Sequence, residues 1–420
     1  MGILSGGDAG KRPVARARED RSCERREVIS PLPAKQAGAI RLEACHLRLG
    51  VNASILGVQP SGLGVYTADL VREFDRHWND GVIYTSSPDG LCADRATLRM
   101  VSPMVRPERR PVGNFLRILW LQSVLRARIL KDRIHVLLNT VPEGMLAPPV
   151  PQVTVVHDLL PLLRPKEYPR QQLYFRFVVP ALLRCSTLVV ADSENTRRDI
   201  LTSYNILPEK VRTVYIGYDR TRFHPGVEGR GRLGLSPGGY ILYLGNLMPH
   251  KNLGVLIEAY GMIAHGTSCR LVIGGAKDPR YFPALWEKVS ALGLEGKVTF
   301  LDYVSSAELP ALYANAALGV WPSLYEGFGL PPLEAMACGT PVVVSHAGSL
   351  SEVVGDAAIL VDPRDARSVA DAMMRLLADE NLRIQLRERG LARCQQFSWE
   401  ETARRTLRLC EEAYEGSKQP

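Results

Sequence analysis

The chain has 420 residues, of which 46% are hydrophobic and 23% charged, and its formal net charge is +8. This composition excludes a disordered or collagen-like protein, and no apolar run reaches the roughly eighteen residues that a membrane span requires. The length predicts two domains with a cleft between them, whereas the charge suits nucleic acid, an anionic membrane surface or phosphorylated small molecules equally well.

The cysteines and the N-terminus both bear on the compartment. The eight cysteines are scattered without a Cys-x-x-Cys pair, which argues against a disulfide framework and a zinc site and favours a reducing compartment. Residues 1–44 are basic and lack the continuous apolar middle region of a secretory signal. We expect them to form a disordered tail or to reflect an overlong translation start.

The first structural unit is a short apolar strand at residues 47–53. It leads into a glycine loop, Pro60 to Gly64, and then into a helical pattern from Val65 to Phe74. A strand, a glycine loop and a helix in this order open a doubly wound fold. We therefore predict a parallel β/α architecture from this point.

A basic and apolar segment follows at residues 106–133. Its cations are interleaved with apolar residues that include Phe115, Leu119 and Trp120. A surface helix of this composition suits anionic lipid, where a lipid-linked acceptor would wait. The alternative is that the apolar side belongs to the core and that the cations are solvated. The sequence leaves both interpretations open.

The strand at residues 153–156 ends in a His-Asp pair. His157 and Asp158 lie at its carboxyl end, so they face the predicted cleft. His157 is suited to hydrogen-bond a sugar or a phosphate, and Asp158 to orient it or to serve an acceptor. A histidine satisfied within the core is the alternative. A further strand at residues 187–191 continues the series.

A second β/α series begins at Tyr240, after a stretch rich in Gly, Pro and Arg at residues 219–239 that we interpret as a linker. Its first strand ends at Gly245, and Lys251 follows just before a helical pattern at residues 253–264. A cation at the carboxyl end of a parallel strand is placed to hold a diphosphate. A solvated lysine is the alternative.

Residues 321–341 are the most informative stretch. A strand ends, glycines permit a tight backbone path, and a short helix follows that closes at Gly339. Such a helix N-terminus binds phosphate. Glu326 before the helix and Glu334 in its first turn each suit the hydroxyls of a sugar or a ribose. Alternatively, Glu334 only complements the helix dipole and Glu326 faces solvent.

These patterns predict an α/β protein with two Rossmann-like, doubly wound domains that face a central cleft. The first domain covers residues 45–218, and the second covers residues 240–395 beyond the linker. Residues 396–420 predict a helix that packs back on the first domain.

With these residues assembled, the chain resembles glycosyltransferase family 4, the retaining enzymes of the GT-B fold, over residues 47–415. The most specific mark is Glu-Gly-Phe-Gly-Leu-Pro-Pro-Leu-Glu-Ala at residues 326–335, whose glutamates stand eight apart. The glycine loop, His157-Asp158, residues 193–196 and residues 249–252 occur in the expected order.

The resemblance implies a metal-independent hexosyltransferase whose C-terminal domain binds a nucleotide-sugar donor and whose N-terminal domain holds a glycan or lipid-linked acceptor of polysaccharide biosynthesis. It implies no further cofactor, and no Asp-x-Asp motif is present to hold a divalent cation. The implied catalytic residues are His157 beside the transferred sugar, Lys251 on the diphosphate and Glu326 on the sugar hydroxyls. The implied donor-binding residues are Gly62, Gly64, Gly245, Asn246, His250, Asp302, Tyr303, Val304, Phe328, Gly329, Leu330 and Glu334, the last on the ribose, while Asp158 belongs to the acceptor side.

One feature departs from the family pattern. Many relatives have an arginine just after the donor-loop glycine or just before the lysine, where this chain has Asn246 and His250. A fixed bidentate cation is therefore missing from the predicted diphosphate site.

Residues 157–162 and 249–252 resemble the branch with many GDP-mannose-dependent mannosyltransferases of bacterial polysaccharide assembly, which ranks mannose first. We expect a cytoplasmic protein, with peripheral contact to the inner face of the cell membrane as an option, and no nucleic-acid partner. The alternatives are a GT-B sugar-nucleotide epimerase, against which the Glu326 to Glu334 loop argues, and a non-catalytic nucleotide-sugar-binding scaffold, which the missing arginine favours.

Overall fold

The computed structural model describes residues 47–418, except 58–61, 79, 89–90, 92, 110–111, 227–235 and 303. The predicted tail at residues 1–44, the loop residue Ser61, part of the predicted linker and the predicted donor-binding residue Tyr303 lie outside the described residues.

The N-terminal half is built on a seven-stranded, wholly parallel sheet with the strand order β3-β2-β1-β4-β5-β6-β7. In register, Leu49 of β1 lies opposite Gly81 of β2 on one side and Val136 of β4 on the other. The strands are β1 (Leu49–Asn52), β2 (Gly81–Thr85), β3 (Thr97–Met100), β4 (Val136–Asn139), β5 (Gln152–Val156), β6 (Leu188–Ala191) and β7 (Val211–Thr213). The helices are α1 (Gly62–His77), α2 (Val112–Gln122), α3 (Val124–Lys131), α4 (Leu160–Leu163), α5 (Pro169–Leu173), α6 (Val179–Cys185) and α7 (Glu194–Ser203), with a π-helical turn at Tyr174–Val178.

The C-terminal half repeats this plan with six parallel strands in the order β10-β9-β8-β11-β12-β13. The strands are β8 (Tyr240–Leu244), β9 (Arg270–Gly274), β10 (Val298–Leu301), β11 (Leu318–Trp321), β12 (Val342–Ser345) and β13 (Ala358–Val361). The helices are α8 (Leu253–Ile263), α9 (Phe282–Ala291), α10 (Leu309–Ala314), α11 (Leu330–Ala337), α12 (Leu350–Val354), α13 (Ala366–Ala378), α14 (Glu380–Cys394) and α15 (Trp399–Gly416). The predicted pair of doubly wound parallel sheets is confirmed.

The sequence explains the sheets because their central strands are short runs of Val, Leu and Ile without alternation. β1, β4, β5, β8, β11 and β12 are buried along their whole length. Strands with both faces covered by helices need apolar side chains on both faces. Helix starts carry matching caps: the Ser193 hydroxyl accepts from the Thr196 amide at 3.0 Å before α7, and the Ser398 hydroxyl accepts from the Glu401 amide at 3.1 Å before α15.

The strand order reverses beside the first strand of each sheet, between β1 and β4 and between β8 and β11. Ligands of open α/β sheets bind outside the carboxyl ends of the strands at such a switch point. The last helix, α15, packs on α1 and on β4, β5 and β6, and the ring of its Tyr414 stacks on His135 at 5.0 Å. The C-terminus of the chain therefore covers the N-terminal sheet.

Two local predictions were wrong. The glycine loop does not continue through Gly64, because α1 already begins at Gly62, where the Thr67 hydroxyl donates to the Leu63 carbonyl at 2.9 Å. Glu334 lies in the second turn of α11 rather than the first, because the helix begins at Leu330, directly after Gly329 with its positive φ of 109°. In both places the helix starts earlier than its glycines and prolines suggested.

The basic segment at residues 106–133 divides between surface and core. Arg117 is 2% exposed and its guanidinium binds the Glu143 carboxylate at 2.5 and 2.8 Å, so this cation belongs to the interior. Val112, Phe115 and Leu119 of α2 are instead 56%, 61% and 49% exposed. The cations of the segment are therefore not all solvated, and contact of its exposed apolar side chains with lipid stays a prediction. Among the described residues, no helix is both long and apolar enough to cross a membrane.

Candidate active site

The candidate site lies at the switch point of the C-terminal sheet. β8 leads into Gly245 and then into a short 3-10 turn, Pro249–Lys251, while β11 leads into the loop that holds Glu326. Because β8 and β11 are neighbouring parallel strands, both loops emerge at the same edge. α11 begins in this loop, so the positive end of its dipole faces the same region. Pro331 and Pro332 in its first turn carry no N–H, which leaves the Leu330 amide as the donor there.

Lys251 and Glu326 form an ion pair at this edge. The Lys251 Nζ lies 2.7 Å from both carboxylate oxygens of Glu326, and the two side chains are only 13% and 12% exposed. The Ser323 hydroxyl donates to Glu326 Oε1 at 2.8 Å. The two residues assigned to the diphosphate and the sugar hydroxyls are thus brought together, each neutralising the other. An incoming diphosphate has to draw the ammonium away from the carboxylate.

The loop from Glu326 to Leu330 is held tightly from behind. The Ser349 hydroxyl lies 3.0 Å from the Glu326 carbonyl and 2.7 Å from the Phe328 carbonyl. Phe328 is buried, and Gly329 adopts a left-handed φ of 109° that glycine tolerates best. These contacts fix the path of the backbone at the start of α11.

Glu334 is buried on the second turn of α11. Its carboxylate accepts a hydrogen bond from the Tyr313 hydroxyl at 3.0 Å. Burial raises the pKa of Glu334 to about 7, against the lowering effects of the Tyr313 hydroxyl and the nearby Arg222. This carboxyl group therefore changes charge near neutral pH.

His250 does not face the site as a free cation. Its ring is 1% exposed, and Nδ1 lies 2.8 Å from a carboxylate oxygen of Glu167 in the N-terminal half. Burial and the charge of Lys251 lower its pKa. The residue in the place of the missing arginine thus makes a contact between the two halves, and its assignment to donor binding stays a prediction.

His157 and Asp158 follow β5 and reach the same region from the N-terminal half. His157 Nδ1 lies 2.5 Å from Asp192 Oδ2, and Nε2 lies 2.8 Å from the Thr140 carbonyl oxygen. Asp158 accepts from the Leu160 amide at 2.9 Å, and burial raises its pKa. Both ring nitrogens of His157 therefore have protein partners, so a hydrogen bond to a sugar requires one of them to open.

The two halves meet at the Glu326 loop. A Cβ on Gly327 would lie 2.3 Å from the His157 carbonyl oxygen, so only glycine fits there. The Ser193 hydroxyl donates to the Gly327 carbonyl at 2.7 Å, and the Tyr325 hydroxyl donates to Asp199 at 2.6 Å. From the C-terminal half, the Glu352 carboxylate accepts from the Glu194 and Asn195 amides at the start of α7, at 2.6 and 3.1 Å.

The remaining predicted site residues spread along the cleft edges. Gly62 is exposed and Gly64 buried in the first turn of α1. The Gly245 amide donates to the Gly274 carbonyl at 3.0 Å, and Asn246 is exposed with its carbonyl accepting from the Tyr243 hydroxyl at 2.9 Å.

Asp302 and Val304 follow β10, at the far side of β9 from β8. The Asp302 carboxylate pairs with Lys277 at 2.7 Å and is 79% exposed. Val304 lies against Gly274, where an added Cβ would be 3.3 Å from its methyl group. Both residues therefore follow a strand that is not a neighbour of β8, and Val304 packs against the end of β9.

Sequence reasoning missed several residues that shape the site. Asp192 follows β6 directly, as His157 follows β5, so a polar residue at a strand end was its signal. Glu167 and Glu352 left no such signal, because each lies in a helical or loop segment whose partner is in the other half. Their roles depend on the packing of the two sheets.

The chain matches known proteins in both of its halves. The family model described as "Glycosyltransferase Family 4" matches residues 60–222, and that described as "Glycosyl transferases group 1" matches residues 233–393. O-antigen chain mannosyltransferase B of Escherichia coli is 34% identical over 265 residues, which are 61% of this chain and 68% of the relative.

Two further relatives match over less than two thirds of their length. O-antigen chain mannosyltransferase RfbU of Salmonella typhimurium is 33% identical over 53% of this chain and 60% of its own. A D-inositol 3-phosphate glycosyltransferase of Nocardioides sp. is 34% identical over 54% of each chain.

Solved structures match almost the whole described chain. Sucrose-phosphate synthase from Thermosynechococcus elongatus superposes with a TM-score of 0.73 at 20% identity, over 88% of this chain and 100% of that one. WaaG, a glycosyltransferase involved in lipopolysaccharide biosynthesis, superposes with a TM-score of 0.66 at 17% identity, over 86% and 99%. Together with the two family models, this fold shows that the chain is a GT-B glycosyltransferase and belongs to glycosyltransferase family 4.

Proposed function

We propose that the protein is a retaining hexosyltransferase that moves mannose from GDP-mannose to a glycan or lipid-linked acceptor in polysaccharide biosynthesis. The donor binds at the carboxyl ends of β8 and β11, and the acceptor enters from the side of His157 and Asp158. The observation that carries this proposal is the Lys251–Glu326 pair, 2.7 Å between Nζ and both oxygens, beside the N-terminus of α11. A cation and a carboxylate at one helix N-terminus match the two parts of a sugar diphosphate.

The charges of the site support departure of a nucleoside diphosphate. When the bond between the anomeric carbon and the phosphate oxygen breaks, negative charge develops on that oxygen. Once Lys251 has moved from Glu326 to the diphosphate, Lys251 and the Leu330 amide at the start of α11 stabilise this charge. Glu326, released from Lys251, accepts hydrogen bonds from sugar hydroxyls. In this account the acceptor oxygen bonds to the anomeric carbon on the face that the phosphate leaves, and its proton passes to the departing phosphate.

The choice of mannose rests on the relatives. The matched proteins include mannosyltransferases named for O-antigen chains or for serotype, at 29–34% identity. The name of the matched D-inositol 3-phosphate glycosyltransferase contains an acceptor and no donor sugar, so mannose rests on the mannosyltransferase names alone. No cofactor beyond the donor is proposed.

A transfer assay tests this function. The protein is incubated with labelled GDP-mannose, UDP-glucose or ADP-glucose, with and without a membrane extract that contains lipid-linked glycans. We expect acceptor-dependent transfer from GDP-mannose, and loss of that transfer in Glu326→Gln. The matched control is Glu258→Gln, since Glu258 lies on α8 and pairs with Lys288 at 2.9 Å on the surface. Conversion of the sugar nucleotide without acceptor would instead identify an epimerase.

We also propose that α2 places the protein on an anionic membrane surface, where a lipid-linked acceptor is found. Val112, Phe115 and Leu119 follow one face of α2 at helical spacing and are about half exposed or more. Arg126 and Lys131 are exposed in the adjoining α3. Apolar side chains beside cations suit the boundary between acyl chains and anionic headgroups.

Vesicle sedimentation tests this surface. We expect the full chain to bind phosphatidylglycerol vesicles more than phosphatidylcholine vesicles, and the double variant Phe115→Ser/Leu119→Ser to lose most of the binding. Met262→Ser is the control, because Met262 is 52% exposed on α8 in the other half. Equal binding by the double variant would contradict the proposal.

A further inference from the structure

The ring of His157 lies between acceptors supplied by two neighbouring strands. β4, β5 and β6 are adjacent and parallel, so the residues that follow them meet at one edge. Thr140 follows β4 and offers its carbonyl oxygen to Nε2 at 2.8 Å, while Asp192 follows β6 and offers Oδ2 to Nδ1 at 2.5 Å. Asp192 is 1% exposed. Water therefore has little access to this pair.

The nature of these partners fixes where the protons lie. A carbonyl oxygen can only accept, so Nε2 of His157 must carry a proton. Burial raises the pKa of Asp192, against the lowering charge and hydrogen bond of His157. An ionised Asp192 can only accept, and Nδ1 then carries a proton too. The other carboxylate oxygen of Asp192, Oδ1, is buried and has no hydrogen-bond partner among the described residues. The imidazolium of His157 is then the group that balances the charge of Asp192.

The groups around the ring favour the same state. Burial acts to lower the pKa of His157, but the charge and hydrogen bond of Asp192, the Thr140 carbonyl and the charge of Asp158 together raise it above its ordinary value. From α1, the ring of Tyr66 packs edge-on at 4.5 Å. Burial raises the pKa of Tyr66 well above its ordinary value, so it stays neutral. From the C-terminal half, Gly327 brings only backbone.

We propose that Asp192 is a positioning residue that keeps His157 protonated on both ring nitrogens, so that His157 serves the transfer as a fixed cation and not as a proton acceptor. This inference rests on the proposed transferase function only for its kinetic consequence. The cation lies beside Asp158, which in turn interacts with Lys251 and Glu326 across the cleft. A positive charge on this side of the cleft favours the anionic leaving group, and it acts to lower the pKa of Asp158 against the larger, raising effect of burial. General-base catalysis by His157 is thereby excluded.

Nitrogen-15 NMR of the histidine-labelled full chain tests the protonation state directly. The signals of His157 are assigned by their absence in His157→Gln. We expect both ring nitrogens of His157 to remain protonated from about pH 6 to about pH 8.5, where an ordinary histidine loses a proton. In Asp192→Asn, an amide N–H can donate to Nδ1 and hold the ring in place, but the charge is gone. Nδ1 should then lose its proton within this range.

The pH dependence of kcat provides the second readout. The wild type should show no ionisation from His157, whereas Asp192→Asn should acquire one, with kcat about 10²-fold lower above it and a smaller change in the donor KM. Asp132→Asn is the matched control, because Asp132 is also a buried carboxylate but binds Arg99 and Tyr84 away from the site. It should leave the His157 signals and the pH profile unchanged.

Either of two results would overturn the proposal: an unprotonated Nδ1 of His157 in the wild type at neutral pH, or identical His157 spectra in wild type and Asp192→Asn. The NMR result stands even if no donor is used. If the protein showed no transferase activity, the proposed function would be wrong, and the NMR spectra would still establish whether His157 is protonated.

Discussion

Lys251 and Glu326 stand 75 residues apart in the chain, yet the ammonium of one lies 2.7 Å from both carboxylate oxygens of the other. They come together because β8 and β11 are neighbours in the C-terminal sheet, on either side of its switch point. The charges of these two side chains thus compensate each other. On the proposed function, donor binding would exchange this internal pair for contacts to a diphosphate and to sugar hydroxyls.

The pair predicts non-additive effects on stability. With side chains 13% and 12% exposed, removing one partner leaves a largely buried charge without compensation. We expect Lys251→Met or Glu326→Gln alone to lower the free energy of unfolding by on the order of 3 kcal/mol. The double variant should lose clearly less than the sum, because no charge remains unpaired. Urea unfolding followed by circular dichroism measures each value.

The exposed Lys288–Glu258 pair is the control for this cycle. Its side chains are 37% and 46% exposed, so removal of either should cost less than about 1 kcal/mol. Additive losses for Lys251 and Glu326 would show that the two charges do not depend on each other.

Glu334 predicts a pH-dependent stability with a defined sign. Its folded-state pKa of about 7 lies above its ordinary value of 4.5, so the folded protein binds this proton more tightly than the unfolded chain. The contribution is therefore fully present below about pH 4.5 and is lost as the pH rises towards 7. The loss is on the order of 3 kcal/mol. Glu334→Gln should remove it.

The comparison requires unfolding curves of both proteins at several pH values. The difference in unfolding free energy between wild type and Glu334→Gln should fall between acid and neutral pH and level off above it. A constant difference across this range would mean that Glu334 ionises normally.

The close contact between the two halves at Gly327 leaves no room for a side chain. A Cβ there would lie 2.3 Å from the His157 carbonyl oxygen and 2.9 Å from Asp158 Cβ. Gly327→Ala must displace the loop that carries Glu326, so we expect a stability loss of about 1–3 kcal/mol and a large loss of transfer activity. Gly296→Ala is the control, since its Cβ would meet nothing within 4 Å. Full activity of Gly327→Ala would show that the halves separate here during turnover.

Glu352, in the C-terminal half, caps the N-terminus of α7 in the N-terminal half. Its carboxylate accepts from the Glu194 and Asn195 amides at the N-terminus of α7. Glu352→Ala should cost about 1 kcal/mol and speed hydrogen exchange at these two amides, while the Leu376 amide of α13 keeps its wild-type rate. Unchanged hydrogen exchange at the Glu194 and Asn195 amides would show that Glu352 does not cap α7.

The sequence predicted those parts of the fold that depend on local pattern. The apolar runs of β5, β6 and β8 were located almost to the residue, because buried parallel strands are short and mostly apolar. β3, with the sequence Thr-Leu-Arg-Met at the sheet edge, is largely exposed, and β7 has only three residues. Neither carries a pattern that distinguishes it from a loop.

In the candidate site, too, the residues that follow strands were predicted, whereas their contacts with one another were not. Lys251, Glu326 and the helix N-terminus were predicted from their places at strand ends, but their mutual ion pair was not, because it depends on which strands are neighbours. The partners of His157 and His250 lie 35 and 83 residues away. Such pairs follow from the packing of the two sheets, which single-residue patterns do not encode.

The most direct test of the central claim, that Lys251 binds the diphosphate of the donor, is a calorimetric titration. GDP, UDP and ADP are titrated into the wild type, Lys251→Met and the surface control Lys288→Met. We expect GDP to bind best, Lys288→Met to match the wild type, and Lys251→Met to bind the preferred nucleotide about 10- to 100-fold more weakly, as the loss of a charged hydrogen-bond partner implies. Wild-type affinity in Lys251→Met would contradict the account.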